Sequence, residues 1–389
     1  MRATRVSNER GVALAVAVFA LVVIGALVAA TFFAGRLEQQ TGRNSMLAMQ
    51  AAQVAEAGLG EAVAVSLNSA TLNAMTIAPT ASANSASILT LGNYDGPTGS
   101  YLGASRTVKR LSENLFLVTA LGAKRSSSGD TLARQSLAQL IRLNSANVSI
   151  AAGLTAIGQV TVSGNSTVSG NDAKPASWTG VACPPLDSVA GVRYNGQLTQ
   201  QGSAVITGDP PTQTDNGLTA ANMLGGSTFE QLKAMRTLTL TGNVSGLAAV
   251  TTGTPARCDT SIMSNWGAPT VTTSPCFTYF PIIYHMGDLS ISGTGEGQGI
   301  LLVEGNLQVQ GRIDFYGPVI VTGGVNIRGT GSDDVKFYGG VLAQDVTLDD
   351  SRLTGNATVN YSSCAIKRAL NGSAIPEAFS ERSFVQLYQ

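Results

Sequence analysis

Residues 11–35 carry no charge and no proline, and Val, Ala, Leu, Ile and Phe fill most positions. As a helix rising ~1.5 Å per residue, this run is longer than the ~30 Å hydrocarbon core of a bilayer requires. It also exceeds the apolar stretch of about 7–15 residues in an ordinary secretory signal. The helical pattern continues past the membrane edge. Leu37-Glu38-Gln39-Gln40 leads on to Met46-Leu47-Ala48-Met49-Gln50-Ala51-Ala52-Gln53-Val54-Ala55-Glu56-Ala57-Gly58-Leu59, mostly strong helix formers, and the first proline is Pro79. The pattern predicts one helix of roughly 55 residues, ~80 Å long.

Beyond the helix the period changes. Residues 69–100 are Ala, Ser, Thr and Asn with few large apolar side chains, a linker or loose loop. Segments 106–110 and 115–120 read as strands and 124–130 as a turn. The run 131–143 fits a helix or a strand; a strand is favoured, because pairing with 115–121 would bury Leu137, Ile141 and Leu143 on one face.

Glycines then recur every six residues at 287, 293, 299, 305, 311, 317, 323 and 329. Between them runs Gly-x-φ-x-φ-x with apolar pairs Leu289/Ile291, Leu301/Val303, Leu307/Val309, Ile313/Phe315, Val319/Val321 and Val325/Ile327. The same pattern occupies 146–170, and a weaker copy surrounds Leu238/Leu240. A period of two makes each hexad a short strand with one buried face, and a glycine tolerates each corner. Such repetition predicts a β-solenoid whose coils bury apolar faces on one another. A meander of hairpins is the alternative, although several corners lack the Asn-Gly or Asp-Gly pairs of two-residue turns. Residues 171–286 interrupt the repeat and hold both tryptophans and nine of the thirteen prolines, as expected of an insertion packed over it.

The expected fold class is therefore an N-terminal long α-helix, transmembrane, followed by a mainly β domain, a β-solenoid or β-helix with a large insertion. The expected organisation is a basic N-terminal segment (1–11), a membrane helix with its extension (12–68), a linker with a small hairpin region (69–145), the Gly-rich domain (146–364, insertion 171–286) and a tail (365–389).

Charge and cysteine content narrow the function. Among 389 residues the net charge is zero and only 12% are charged, which argues against nucleic acid as a partner. Arg2, Arg5 and Arg10 precede the apolar run, opposed by Glu9 alone, so the N-terminus is expected in the cytoplasm and the bulk outside. The four cysteines, Cys183, Cys258, Cys276 and Cys364, all lie beyond the span and form no CxxC pair. They read as disulfide candidates in an oxidising compartment rather than zinc ligands. The shortest loop would join Cys258 to Cys276, leaving Cys183 with Cys364, although four cysteines allow three connectivities.

The leader ending Arg10-Gly11, the run opening Val12-Ala13-Leu14 and the Ala51-Ala52-Gln53-Val54-Ala55-Glu56-Ala57-Gly58-Leu59 element resemble the N-terminal domain of PilX-type minor pilins. They are also similar to the K-type minor pseudopilins of type II secretion. The resemblance covers about residues 5–70 and implies that 1–11 is a prepilin-type leader and 12–68 a pilin-like, filament-packing helix. It implies cleavage by prepilin peptidase between Gly11 and Val12, methylation of the new amine, and packing against other pilin-like subunits. Major pilins of this kind carry a glutamate at the fifth residue after the cut; Val16 stands there, which argues against the shaft subunit.

Little in the sequence points to catalysis. His285 is the one histidine, and neither a nucleophile elbow nor a P-loop occurs. Asp333, Asp334, Asp345, Asp349 and Asp350 are weak metal candidates, better read as solvated turn residues. No cofactor and no enzymatic activity are expected. Two functions remain. One is a minor pilin-like assembly component of a type IV pilus or related filament, single-pass in the inner membrane, with a bulky β domain at or near the tip. The other is a membrane-anchored β-helical adhesin or polysaccharide-active enzyme. The helical extension 37–67 favours the first, because a plain anchor has no use for it.

Overall fold

A computed structural model of the chain describes residues 10–75, 88–178, 181, 183, 187–328, 334–343, 351–354, 356–379 and 384–387. The described residues fall into two compact units, the first drawn from 1–66, 77–141 and 378–389, the second from 67–76 and 142–377.

The first unit begins with helix α1, Arg10–Glu61, extended by a π-helical turn over Ala62–Ser66. Residues 13–46 of this helix are exposed. From Ala51 onward one face is covered: Ala51, Val54, Ala55, Leu59 and Ala62 are buried at the three- and four-residue spacing of one helical stripe. The stripe packs on an antiparallel sheet, contacting its second and third strands. Its strands are β1 (Ile88–Asp95), β2 (Leu102–Arg110), β3 (Leu115–Arg125) and β4 (Thr131–Asn144), in that order. Phe384–Leu387 adds antiparallel to β4. The segment that fitted helix or strand is thus a strand, and Leu137, Ile141 and Leu143 are buried. Tertiary pairing decides such a run, since an isolated 13-residue helix is marginal in water.

The second unit opens with the short helix α2, Ser69–Ala74, and is built mainly from parallel strands. Leu289 pairs with Leu307, and Leu307 with Val325, in successive steps of eighteen residues. The same step relates Ile282 to Ile300, Thr294 to Arg312 and Leu301 to Val319. Three hexads therefore separate each of these strands from its partner, while Phe315 pairs with Phe337 at a step of twenty-two and Asn326 with Arg352 at a step of twenty-six. The apolar pairs face one shared core that includes Leu289, Ile291, Leu307, Val309, Ile313, Phe315, Val325 and Ile327.

Three features depart from the sequence reading. The sheets of the chain are mixed, antiparallel in the first unit and parallel in the second, with a separate antiparallel pair Thr251–Thr252 and Arg257–Cys258. A β-solenoid is therefore no description of the β structure as a whole; what is observed is a long apolar helix followed by a mainly β region. Secondly, residues 171–286 do not only cover the repeats. Ala190–Tyr194, Leu198–Gln200, Val205–Thr207 and Thr212–Thr214 join the parallel sheets beside the 146–170 block. Leu238–Leu240 and Val244–Ser245 join them at the opposite edge, and α3 (Phe229–Ala234) lies on the crossing between. Gly196, Gly202 and Gly208 keep the six-residue spacing through the first of these strands, but apart from Ala204/Ile206 the apolar pair between them is incomplete; Leu238–Leu240 and Val244–Ser245 fall on the weaker copy of the repeat. The two repeat blocks also meet directly, Ser351 beside Val160 and Val341 beside Leu154.

Thirdly, Gly317 is not a corner. Arg312–Val321 is one continuous strand, with Gly317 at φ 138° beside Gly339. A Cβ on Gly317 would strike the carbonyl of Gly299, and one on Gly339 would come within 2.7 Å of the Gly317 carbonyl carbon. The hexad glycine here serves close stacking of backbones rather than a change of direction.

Candidate functional site

Two regions carry the structural specialisation, one in each unit. The first is the seam between α1 and its sheet. Small residues at Ala51, Ala55 and Gly58 let helix and strand backbones approach. A Cβ on Gly122 would collide with the Ala51 carbonyl and lie 2.8 Å from the Ala55 nitrogen. Gly58 faces Ala104, whose Cβ would stand 3.1 Å from an added one. The element that carried the family resemblance is thus a packing surface. At its end Arg106, 5% exposed, forms an ion pair with Glu61 and donates from Nη2 to the Leu91 carbonyl at 3.2 Å. Burial pulls the guanidinium down from its ordinary range. Breaking such a pair from one side leaves a buried charge and costs about 3–5 kcal/mol.

On the other side of this seam, the apolar half of α1 is bare. Leu14, Phe19, Leu21, Leu27, Phe32 and Phe33 are all more than 60% exposed. Ala13–Ser66 is long and apolar enough to cross a membrane, with a mean hydropathy of 2.9 over its best window. Gly11 and Val12 lie in the first turn of α1.

The second region surrounds helix α4, Ser363–Gly372, N-capped by the Ser362 hydroxyl accepting from the Ala365 N–H. Cys364 on this helix is bonded to Cys183, and Cys258 to Cys276, with sequence separations of 181 and 18. In the chain-entropy model closure of the first loop contributes about 5 kcal/mol and of the second about 3 kcal/mol. Asn265, fully buried, organises the smaller loop: its Nδ2 donates to the Val250 and Asp259 carbonyls at 2.9 and 2.7 Å, while its Oδ1 accepts from the Gly267 N–H at 3.2 Å.

Arg368, one turn beyond Cys364, sits among three rings: its guanidinium carbon lies 4.5 Å from the Trp178 centroid, 4.4 Å from Phe277 and 5.0 Å from Phe280. Burial pulls its pKa down to about 10. Trp178 in turn stacks on Tyr316 at 5.4 Å, and Tyr316 on Tyr338 at 4.7 Å. The indole Nε1 donates to the Pro269 carbonyl at 2.8 Å. Sequence reasoning missed this cluster because its members come from five distant segments, around 178, 277–280, 316, 338 and 368, with no local pattern to join them.

The remaining sequence candidates are dispersed. His285 is 7% exposed, with Nδ1 3.2 Å from the Leu240 carbonyl and Nε2 3.1 Å from the Asp288 carbonyl. A neutral imidazole carries a single N–H, so the ring donates to one of these two carbonyls and not to both. Asp334 lies 3.5 Å from Lys336 Nζ. Asp333, Asp345, Asp349 and Asp350 lie outside the described residues. Among the described residues no group of three or more His, Cys, Asp or Glu side chains is placed to hold a metal. A groove of about 900 Å³ runs along the edge at 240–248, walled by Ile262 and Met263 and lined by uncharged side chains.

No family model matches the chain, and no curated protein matches it. Among solved structures, the crystal structure of the competence-associated pilin ComZ from Thermus thermophilus is similar over 88% of this chain and 98% of that chain, at 12% sequence identity and a TM-score of 0.25. A likeness of that size carries no argument about fold or function.

Proposed function

We propose that the chain is a minor pilin-like subunit of a type IV pilus or related filament, assembled through α1 and carrying its β structure outside the cytoplasm. The observation that carries this reading is the division of α1. Residues 13–46 are bare, and apolar as far as Gly35, while Ala51–Ala62 is dedicated to the chain's own sheet. A helix that only anchored a domain would end near the membrane edge. This one projects an apolar surface far larger than the few hundred Å² usual on a soluble monomer, so lipid and then like helices are its natural cover. Roughly 320 residues follow α1, too bulky to repeat easily along a narrow fibre, which favours a tip or low-copy position.

The proposal includes processing between Gly11 and Val12 by prepilin peptidase and a cytoplasmic N-terminus. Both disulfides lie in the second unit, in keeping with an oxidising compartment. Within that unit we further read the strand ladders as coils of eighteen residues or more wound into a β-solenoid. The support is the constant register from Leu289 through Leu307 to Val325, with one apolar core shared by all the columns.

Site-specific photo-cross-linking in cells tests the assembly role. A photoreactive residue at Leu21 or Val28, both more than half exposed, is expected to capture other proteins that carry an N-terminal helix of this kind. The same residue at Leu59, which is 1% exposed, is expected to capture none. Capture of no protein at Leu21 and Val28 would reject the role.

A further inference from the structure

We propose that α4 is a redox clasp in which the two disulfides are coupled through Arg368: the segment that follows Cys276 and is anchored by its bond to Cys258 presents two of the rings that seat the guanidinium, and the seated guanidinium holds Cys364 beside Cys183.

The coupling follows from where the four participants lie. Cys364 and Arg368 are four residues apart, on one face of α4. Phe277 follows Cys276 directly and shares with it the short 3-10 turn Pro275–Thr278, with Phe280 two residues beyond that turn. Trp178 lies five residues before Cys183 and is fully buried. Each disulfide thus brings its own share of rings to one cation, Trp178 from the first and Phe277 with Phe280 from the second. Arg368 Nη1 is buried with no hydrogen-bond partner among the described residues, so the ring faces supply the attraction that a carboxylate would otherwise provide. Opening the Cys258–Cys276 bond removes one of the restraints on the segment that carries Phe277 and Phe280, leaving Gln298 Nε2, which donates to the Cys276, Phe277 and Tyr279 carbonyls at 3.2, 2.9 and 2.9 Å, and so weakens the seat of the cation under α4. The helix then leaves its seat more readily, and the Cys183–Cys364 bond, whose loop spans 181 residues, loses the contact that keeps its thiols together. The same free energy acts in reverse, since coupling between two equilibria is reciprocal.

Each closure converts two thiols into a disulfide. Two protons and two electrons pass to an incoming disulfide, which leaves as two thiols. Chain entropy alone favours closing the shorter loop by about 30-fold, so the order of closure does not discriminate. The dependence of one bond on the other, and on Arg368, does.

The test uses the full chain in detergent micelles, equilibrated with reduced and oxidised glutathione. Thiols are trapped by alkylation, and each bond is quantified by peptide mass spectrometry. Arg368→Ala and the pair Cys258→Ser with Cys276→Ser are each expected to lower the equilibrium constant for Cys183–Cys364 at least tenfold. Combining them should cost no more than the larger single loss, because both remove the same contact. Arg368→Lys, which keeps a cation among the rings, should restore most of the constant. Asp215→Ala serves as the control, since it breaks a hydrogen-bonded pair with Arg193 elsewhere in the same unit and should leave the constant within twofold. An unchanged constant in Arg368→Ala overturns the proposal, as do losses that multiply in the combined variant or a tenfold drop in Asp215→Ala. Should Arg368→Ala fail to fold, Phe280→Leu runs the same cycle: its loss should vanish once Cys258 and Cys276 are serines, and a loss that persists overturns the coupling.

Discussion

Gly122 of β3 lies directly beneath Ala51 of α1, so close that a Cβ on the glycine would overlap the alanine carbonyl oxygen. At this point helix and sheet meet backbone to backbone, although larger side chains of α1 such as Val54 and Leu59 are buried along the same stripe. Gly122→Val should therefore push α1 off its sheet and destabilise the unit by about 1–3 kcal/mol or more, the usual cost of overpacking. Gly60→Ala is the matching control. No atom lies within 4 Å of its added Cβ, and replacing a helical glycine should stabilise by roughly 0.5–1 kcal/mol. Thermal melts of the detergent-solubilised chain should separate the two variants in sign.

The alternation of the hexads predicts a second contrast. Val309 is fully buried, whereas Gln308 beside it is exposed. Val309→Asp forfeits about 2 kcal/mol of apolar burial and adds an uncompensated charge, so it should unfold the second unit. Gln308→Asp should shift the melting temperature by no more than a surface change does, within about 0.5 kcal/mol. Equal costs at the two positions would contradict the inward assignment of Val309.

A third expectation concerns pH. Burial, opposed by Lys336 and reinforced by Glu296, raises the pKa of Asp314 above its ordinary 3.8. A carboxylate with a raised native pKa makes the folded state bind more protons than the unfolded one. Its effect on stability is favourable below 3.8 and is lost as pH climbs through the raised native value. Asp314→Asn should therefore raise the melting temperature at pH 7 and change it little near pH 3. Glu304 behaves oppositely. Hydrogen bonds from Lys233 and the Tyr284 hydroxyl lower its pKa, so its contribution is present above the ordinary glutamate range and is lost as pH falls through the lowered value. Glu304→Gln should accordingly destabilise at pH 7, with the difference closing in acid.

How much of this was readable in advance varies by element. The apolar run and the extension of α1 were legible because a helix is written in local periodicity. The strands at Leu289–Ser292, Leu307–Gln310 and Val325–Arg328 were legible for the same reason, with a period of two between regularly spaced glycines. The step of eighteen was not, since the number of hexads between paired strands depends on the angle of each corner. Nor was the meeting of Ser351 with Val160, which requires the chain to return from one edge of the sheets to the other. Gly122 gave no signal, because what it needs to avoid lies some seventy residues earlier in the sequence. The cage around Arg368 is the extreme case, four side chains with no common motif, gathered only by the folded backbone.

The account turns on whether α1 enters a filament after its leader is removed, and the chain's N-terminus in purified filaments measures this most directly. Filaments sheared from cells with an active prepilin peptidase should contain this chain at low abundance, and peptide mass spectrometry should find it beginning at Val12 with a methylated amine. Replacing Gly11 with a bulky residue should abolish that product and leave the chain in the membrane fraction. Recovery of the chain only from membranes, with an intact Met1 terminus in peptidase-active cells, would contradict the account.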